Sequence, residues 1–211
     1  MIVISTYNGQ DYLPHLLKDI KEFNISNDKI CIVDDKSTDM LFVKYLVDLK
    51  KDGYNILCNP VVSYELGALK YAHDNLKDDV WYSMQDSIRL KYNIFDEIRP
   101  KLTNKNMYTF LTFAPGIYDN MDDRTFLTLH YGTLHYSKGI FTNSIFALDE
   151  VIQRVKNDWY IPKNKIEAAG SERGISVVFE RHGIEINSLG IYDPPKTSDP
   201  NGYPFFYKIY R

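Results

Sequence analysis

Short apolar runs that stop at polar residues alternate, over about the first 90 positions, with stretches whose apolar residues fall at helical spacing. Residues 2–4 form an apolar strand, and Asn8-Gly9 is a turn signal. Leu13, Leu16, Leu17, Ile20 and Phe23 then line one helix face, where Pro14 is tolerated only in the first turn. A second strand covers 30–33, and a helix runs from about Thr38 to a stop at Gly53. A third strand at 54–58 ends in Asn59-Pro60. A helix over about 66–76 leads to a fourth strand at 80–84. This β-α-β-α-β-α-β order predicts a parallel sheet with right-handed crossovers.

After residue 90 the pattern changes. Strands are predicted at 108–113 and 139–148, and a helix at 149–157 with Val151, Ile152 and Val155 on one side. A further helix at 171–182 places Ile175, Val178, Phe179 and His182 on an apolar face, which makes His182 a core residue, and 184–189 reads as a last strand. Residues 193–202, rich in Pro, Asp, Ser and Gly, read as a loop closed by the aromatic stretch 205–207. Without a repeat, a low-complexity tract or a linker, the expectation is one domain in two halves, about 1–90 and about 91–211.

Composition narrows the function classes. A formal net charge of −3 argues against a nucleic-acid binder that relies on bulk positive charge, and suits an anionic ligand admitted through a metal or a local cluster. No apolar run approaches the ~20 residues that span a bilayer. The first strand begins at residue 1 with nothing before it, so a cytoplasmic chain is expected. Cys31 and Cys58 fall inside strands and read as buried thiols of a reducing compartment. Aromatic residues at 14% fit sugar-handling surfaces, although core packing accounts for most of them.

In an open α/β sheet, ligands bind at the carboxyl ends of the strands. Ser5, Thr6 and Tyr7 end the first strand, Asp34 and Asp35 the second, and Gln85 and Asp86 the fourth. The arrangement resembles the nucleotide-sugar half of family-2-type GT-A glycosyltransferases. The resemblance implies an α/β, Rossmann-like GT-A fold: a mixed, mostly parallel sheet flanked by helices. It implies that Ser5, with Thr6 and Tyr7 beside it, contacts the nucleobase, and that one acid of the pair accepts the uracil imide N–H. Position favours Asp35 first and Asp34 second. A carboxylate accepts where uracil donates, so uracil is preferred over cytosine. Ser37 or Thr38 is assigned to cap the following helix.

Gln85-Asp86-Ser87 stands where the family carries its acidic DxD motif. That places Asp86 as ligand of Mn²⁺ or Mg²⁺ and Gln85 at the ribose. One carboxylate can suffice when phosphate oxygens and water complete the shell. Gly67, at the opening of the third helix, falls near the ribose and diphosphate. The basic residue usual before it is replaced by Tyr64 and Glu65, which leaves phosphate charge to the metal and to Arg89, Arg173, Lys196, Lys208 or Arg211.

Counting back from Gly183 puts Glu172 at the family's catalytic base, with Ser171 in place of its partner acid. Two readings stand: Glu172 deprotonates an acceptor hydroxyl, or Ser171 caps the helix and Glu172 favours its positive N-terminus. His130 and His135 read as sugar-contacting or structural, with a further metal ligand as the alternative. Asp119, Asp122 and Asp123 surround Asn120-Met121 in an expected solvated loop.

The expected activity is transfer of a hexose or deoxyhexose from a UDP-sugar to a hydroxyl of a glycan or glycoprotein acceptor, in glycan biosynthesis. No nucleic-acid partner is expected. The alternatives are a catalytically inactive sugar-nucleotide or glycan-binding domain and a sugar nucleotidyltransferase. Tyr7-Asn-Gly-Gln-Asp11, with one Gly and no basic residue, counts against the last. The compact form also resembles soluble glycosyltransferases of large chlorella viruses, which would place it in host cytoplasm, with further domains C-terminal to Arg211.

Overall fold

The computed structural model describes residues 1–115 and 121–209. In chain order its elements are β1 (Ile2–Thr6), α1 (Leu13–Glu22), β2 (Ile30–Asp34), α2 (Met40–Lys51), β3 (Asn55–Cys58), α3 (Tyr64–Asn75), β4 (Val80–Gln85), β5 (Ile88–Leu90) and α4 (Ile94–Ile98). There follow β6 (Asn106–Phe113), α5 (Met121–Tyr131), β7 (Gly139–Ile140), β8 (Phe146–Leu148), α6 (Asp149–Val155), α7 (Lys165–Arg181), β9 (Glu185–Ile191), α8 (Pro194–Ser198) and β10 (Phe206–Lys208).

The main sheet runs β3-β2-β1-β4-β8-β6-β7, with β9 also paired to β6. The pairs β3-β2, β2-β1, β1-β4 and β6-β9 are parallel, whereas β8 and β7 are antiparallel to their partners. Strands β1 and β2, and β4 up to Gln85, are buried because both faces of the sheet are covered there. Their period of two divides them between two cores. Ile2, Ile4, Ile30 and Ile32 pack with Leu13, Leu16 and Ile20 of α1 and Phe42 and Leu46 of α2. Val3, Cys31, Val33 and Trp81 pack on the opposite face with Leu66 and Leu69 of α3 and Ile175, Val178 and Phe179 of α7.

Local chemistry explains the ends of the elements. Pro14 sits in the first turn of α1, where its missing N–H has no partner to lose. Asp39, rather than Ser37 or Thr38, caps α2, accepting from Leu41 N and Phe42 N at 2.9 Å each. Ser37 is occupied elsewhere: its hydroxyl bonds the Asp34 carboxylate and accepts from Asn8 N at 2.7 Å. Gly53 takes φ +92° just past α2, as a left-handed stop requires.

Several expectations are corrected. The strand expected over 139–148 is broken by a 3-10 turn at Phe141–Asn143, in which Thr142 adopts φ +55°. Because Ile140 pairs Thr112 and Phe146 pairs Tyr108, both pieces follow the same edge of β6 with the turn between them. The helix expected to begin at 171 begins at Lys165, capped by Asn164, whose Oδ1 accepts from Glu167 N at 2.9 Å. Asp122 and Asp123 belong to the first turn of α5 rather than to a solvated loop, and Asp123 is buried in an ion pair with Arg173 at 3.3 Å. Asp119, Asn120 and Arg211 lie outside the described residues. The loop expected over 193–202 contains α8. Cys58, at the end of β3, is exposed, while Cys31 is buried and its thiol is pushed up to about 12 by burial. His182 is not in the core: it ends α7, about a third exposed, and Nε2 lies 2.6 Å from Asp158 Oδ2. Among the described residues, no helix is long and apolar enough to cross a membrane.

Candidate active site

Parallel pairing brings the carboxyl ends of β1, β2 and β4 to one level. Thr6 lies opposite Asp34, and Ser5 opposite Gln85. Above them opens a cleft of about 680 Å³, floored by Ser5, Thr6, Tyr7, Asp35, Gln85, Asp86 and Ser87. Glu65 of α3, Lys165 and Glu172 of α7 and Lys208 of β10 close its other side.

Asp35 is only 5% exposed and is held by donors on the next loop. Asn59 Nδ2 donates to it at 2.9 Å, Ser63 N at 3.1 Å, Ser63 Oγ at 3.2 Å and Tyr64 N at 2.8 Å. The two peptide N–H groups belong to the start of α3, so strand β2 and helix α3 are joined through this carboxylate. Burial pushes the Asp35 carboxyl above its ordinary range, and these donors oppose the rise. Asp34 does not line the cleft; it accepts from Ser37 and supports the loop between β2 and α2. Gly67 does not line the cleft either. A β-carbon there would fall 2.0 Å from Ser63 Cβ, so its role is to let Ser63 reach Asp35.

Asp86 is 2% exposed, and its Oδ2 accepts from Thr6 Oγ1 at 2.7 Å. Gly9 allows this contact: a β-carbon at Gly9 would lie 2.3 Å from Thr6 Oγ1 and 2.4 Å from Asp86 Oδ2. The Asn8-Gly9 turn signal marked the place but not the contact. Among the described residues, no group of three or more His, Cys, Asp or Glu side chains could hold a metal ion. An ion held by the Asp86 carboxylate would need water and ligand oxygens to complete its shell.

Glu65 was passed over in sequence because only its neighbours in space give it meaning. It is buried, bonded to Gln85 Nε2, and burial raises its carboxyl above the ordinary range. Glu172 lies about two turns past the start of α7 at Lys165, and Ser171 donates to Ala168 O at 2.7 Å instead of capping. The helix-terminus reading of Ser171 and Glu172 is thereby corrected. Burial raises the Glu172 carboxyl to about 7. Lys208, the Thr142 N–H at 2.8 Å and Arg173 pull it down, and Glu65 pushes it up.

Of the described cations considered for phosphate, only Lys208 lines the cleft; Lys165, which sequence reasoning missed, lines it too. Arg89 is committed to Asp19 through two bonds of 2.7 Å, Arg173 to Asp123, and exposed Lys196 to Asp193 at 3.5 Å. His130 lies tilted against Tyr160 at 3.6 Å between ring centroids, and His135 is exposed; neither lines the cleft.

Residues 1–57 match the sequence model of glycosyl transferase family 2. TarS residues 1–349 of S. aureus, solved with UDP-GlcNAc, superpose with a TM-score of 0.56 at 14% identity, covering 100% of this chain and 58% of that one. Glucosyl-3-phosphoglycerate synthase of Mycobacterium tuberculosis, solved with Mn²⁺ and UDP-glucose, superposes at 0.57 with 15% identity, covering 90% of this chain and 68% of the other. The chain thus spans less than two thirds of the TarS segment. At these identities the likeness establishes the fold, a GT-A arrangement of a mostly parallel sheet flanked by helices. No curated protein matches the chain.

Proposed function

We propose that this chain is a glycosyltransferase that moves a hexose or deoxyhexose from a UDP-sugar to a hydroxyl of a glycan acceptor, acting as one unit with a nucleotide half and an acceptor half. The observation that carries the proposal is the shared cleft: Asp35, Asp86 and Glu172, far apart in the chain, line a single cavity at the carboxyl ends of the strands. The likeness of the fold to structures holding UDP-sugars supports the choice of donor.

In this reading Tyr7 and Asp35 receive the uracil ring, with the carboxylate of Asp35 accepting the imide N–H in place of the Ser63 hydroxyl, the longest of its present bonds at 3.2 Å. Asp86 would hold a divalent ion. Such an ion, when bound, offsets the charge that builds on the departing diphosphate. Lys208 and Lys165 add positive charge on the opposite wall. Glu172, with its carboxyl near 7, is matched to accept a proton at neutral pH. It takes the proton of the acceptor hydroxyl as that oxygen bonds the anomeric carbon. The bond from that carbon to the diphosphate breaks, and its electron pair leaves with UDP. Direct attack assisted by this one base would invert the anomeric centre.

The test is a thermal-shift panel of UDP, GDP and CMP with and without Mn²⁺, followed by turnover of UDP-glucose and UDP-GlcNAc. A shift for UDP well above those for GDP and CMP supports the base reading; equal shifts refute it. The single carboxylate at Asp86 favours a second reading, a binding domain without catalysis. Binding of UDP-sugars with no turnover in the presence of Mn²⁺ would select it.

A further inference from the structure

Thr142 carries two costs at one residue. Its φ of +55° lies in the left-handed region, which a β-branched side chain adopts rarely. Its hydroxyl is buried, at 2% exposure for the residue, and Oγ1 has no hydrogen-bond partner among the described residues. Both follow from the 3-10 turn at Phe141–Asn143 that interrupts the edge of β6 between β7 and β8. A continuous strand would direct the peptide N–H of residue 142 along the sheet. The turn directs it across to α7, where it donates to Glu172 Oε1 at 2.8 Å. Breaks in a strand re-aim groups in this way beside functional sites, and strain held against two penalties points to a use for it.

We infer that Thr142 is a positioning residue for Glu172: its strained turn aims a peptide N–H at one carboxylate oxygen and so presents the side chain to the cleft in one orientation. The catalytic part of this inference rests on Glu172 being the base; the positioning part does not. The other groups acting on Glu172 are Lys208 from β10, Glu65 from α3 and Arg173 on its own helix. The Thr142 N–H makes a direct hydrogen bond to the carboxylate. It favours the ionised form, the form a base needs.

The test uses Thr142→Gly and Thr142→Val. Glycine adopts φ +55° without strain and removes the unpaired hydroxyl, so the protein should melt at a higher temperature. The freed turn holds the N–H less firmly. The Glu172 carboxyl, followed by ¹³C NMR and assigned with Glu172→Gln, should then titrate at higher pH than in the wild type. Turnover of UDP-glucose or UDP-GlcNAc with Mn²⁺ should fall about tenfold, the order expected when a charge-assisted hydrogen bond is loosened. The acid limb of its pH profile should move with the titration. Thr142→Val keeps the branched side chain and the N–H, and should keep both the titration and most of the turnover. An unchanged titration in Thr142→Gly overturns the inference, as does equal damage from Thr142→Val, which would assign the role to the hydroxyl. If Glu172→Gln turns over normally, the base reading falls, while a moved Glu172 titration in Thr142→Gly still upholds the positioning contact.

Discussion

Glu172→Gln separates a buried base from a structural carboxylate by two measurements that respond in opposite directions. The folded chain holds the Glu172 proton up to about 7, against an ordinary 4.5. Near pH 4 the group is protonated in both folded and unfolded chains and costs nothing. Between 4.5 and about 7 the unfolded chain releases the proton while the folded chain retains it, so stability falls as pH rises; above about 7 the full cost is present. At 1.36 kcal/mol per pH unit the gap corresponds to about 3 kcal/mol as a ceiling. Glutamine carries no charge at any pH and still offers an oxygen to the Thr142 N–H. The variant should therefore match the wild type in urea unfolding near pH 4. At pH 8 it should exceed the wild type by up to about 3 kcal/mol, a figure that already includes the attraction to Lys208. UDP-sugar affinity should persist while turnover falls about 10²–10⁴-fold, the usual contribution of a general base. A stability difference that is the same at both pH values refutes the buried-acid argument. Near-normal turnover refutes the base.

Asp35→Asn should weaken UDP binding. It should also lower the melting temperature: the amide oxygen can serve the Ser63 and Tyr64 peptides only with the new NH₂ turned toward the donating Asn59 Nδ2, a clash worth about 1–3 kcal/mol. Asp34→Asn should spare UDP affinity, since Asp34 serves the Ser37 loop, and isothermal titration of both variants checks the pair. Asp86→Ala should abolish the Mn²⁺-dependent part of the UDP thermal shift; an intact dependence would put the metal elsewhere. Gly9→Ala forces a β-carbon to within 2.4 Å of Asp86 Oδ2 and should impair the same Mn²⁺-dependent shift, read in the same assay.

The first half of the sheet was legible because its signals are local. Apolar runs buried on both faces, with amphipathic helices between them, allow few arrangements, and the ends of β1, β2 and β4 then carry Ser5, Thr6, Asp35 and Asp86 to one rim. Past residue 90 the strands pair with distant partners, and short pieces such as β7, β10 and α8 hold too few residues to show a period. The start of α7 was missed because its first turns are marked by the Asn164–Glu167 cap rather than by an apolar stripe.

Residue type and spacing by themselves determined which faces are buried, the order of the parallel strands and the level at which their polar ends meet. Only the tertiary structure decided what those ends touch. Asp35 and Asp34 are adjacent and chemically identical, yet the first reaches across to α3 and lines the cleft, while the second turns back onto Ser37. Glu172 could stand at a helix start or inside a cleft until the position of Asn164 set the register of α7. Its N–H partner was invisible in sequence for a general reason. Every residue but proline carries that donor, so only the backbone path, here a broken strand with Thr142 at φ +55°, determines where it points.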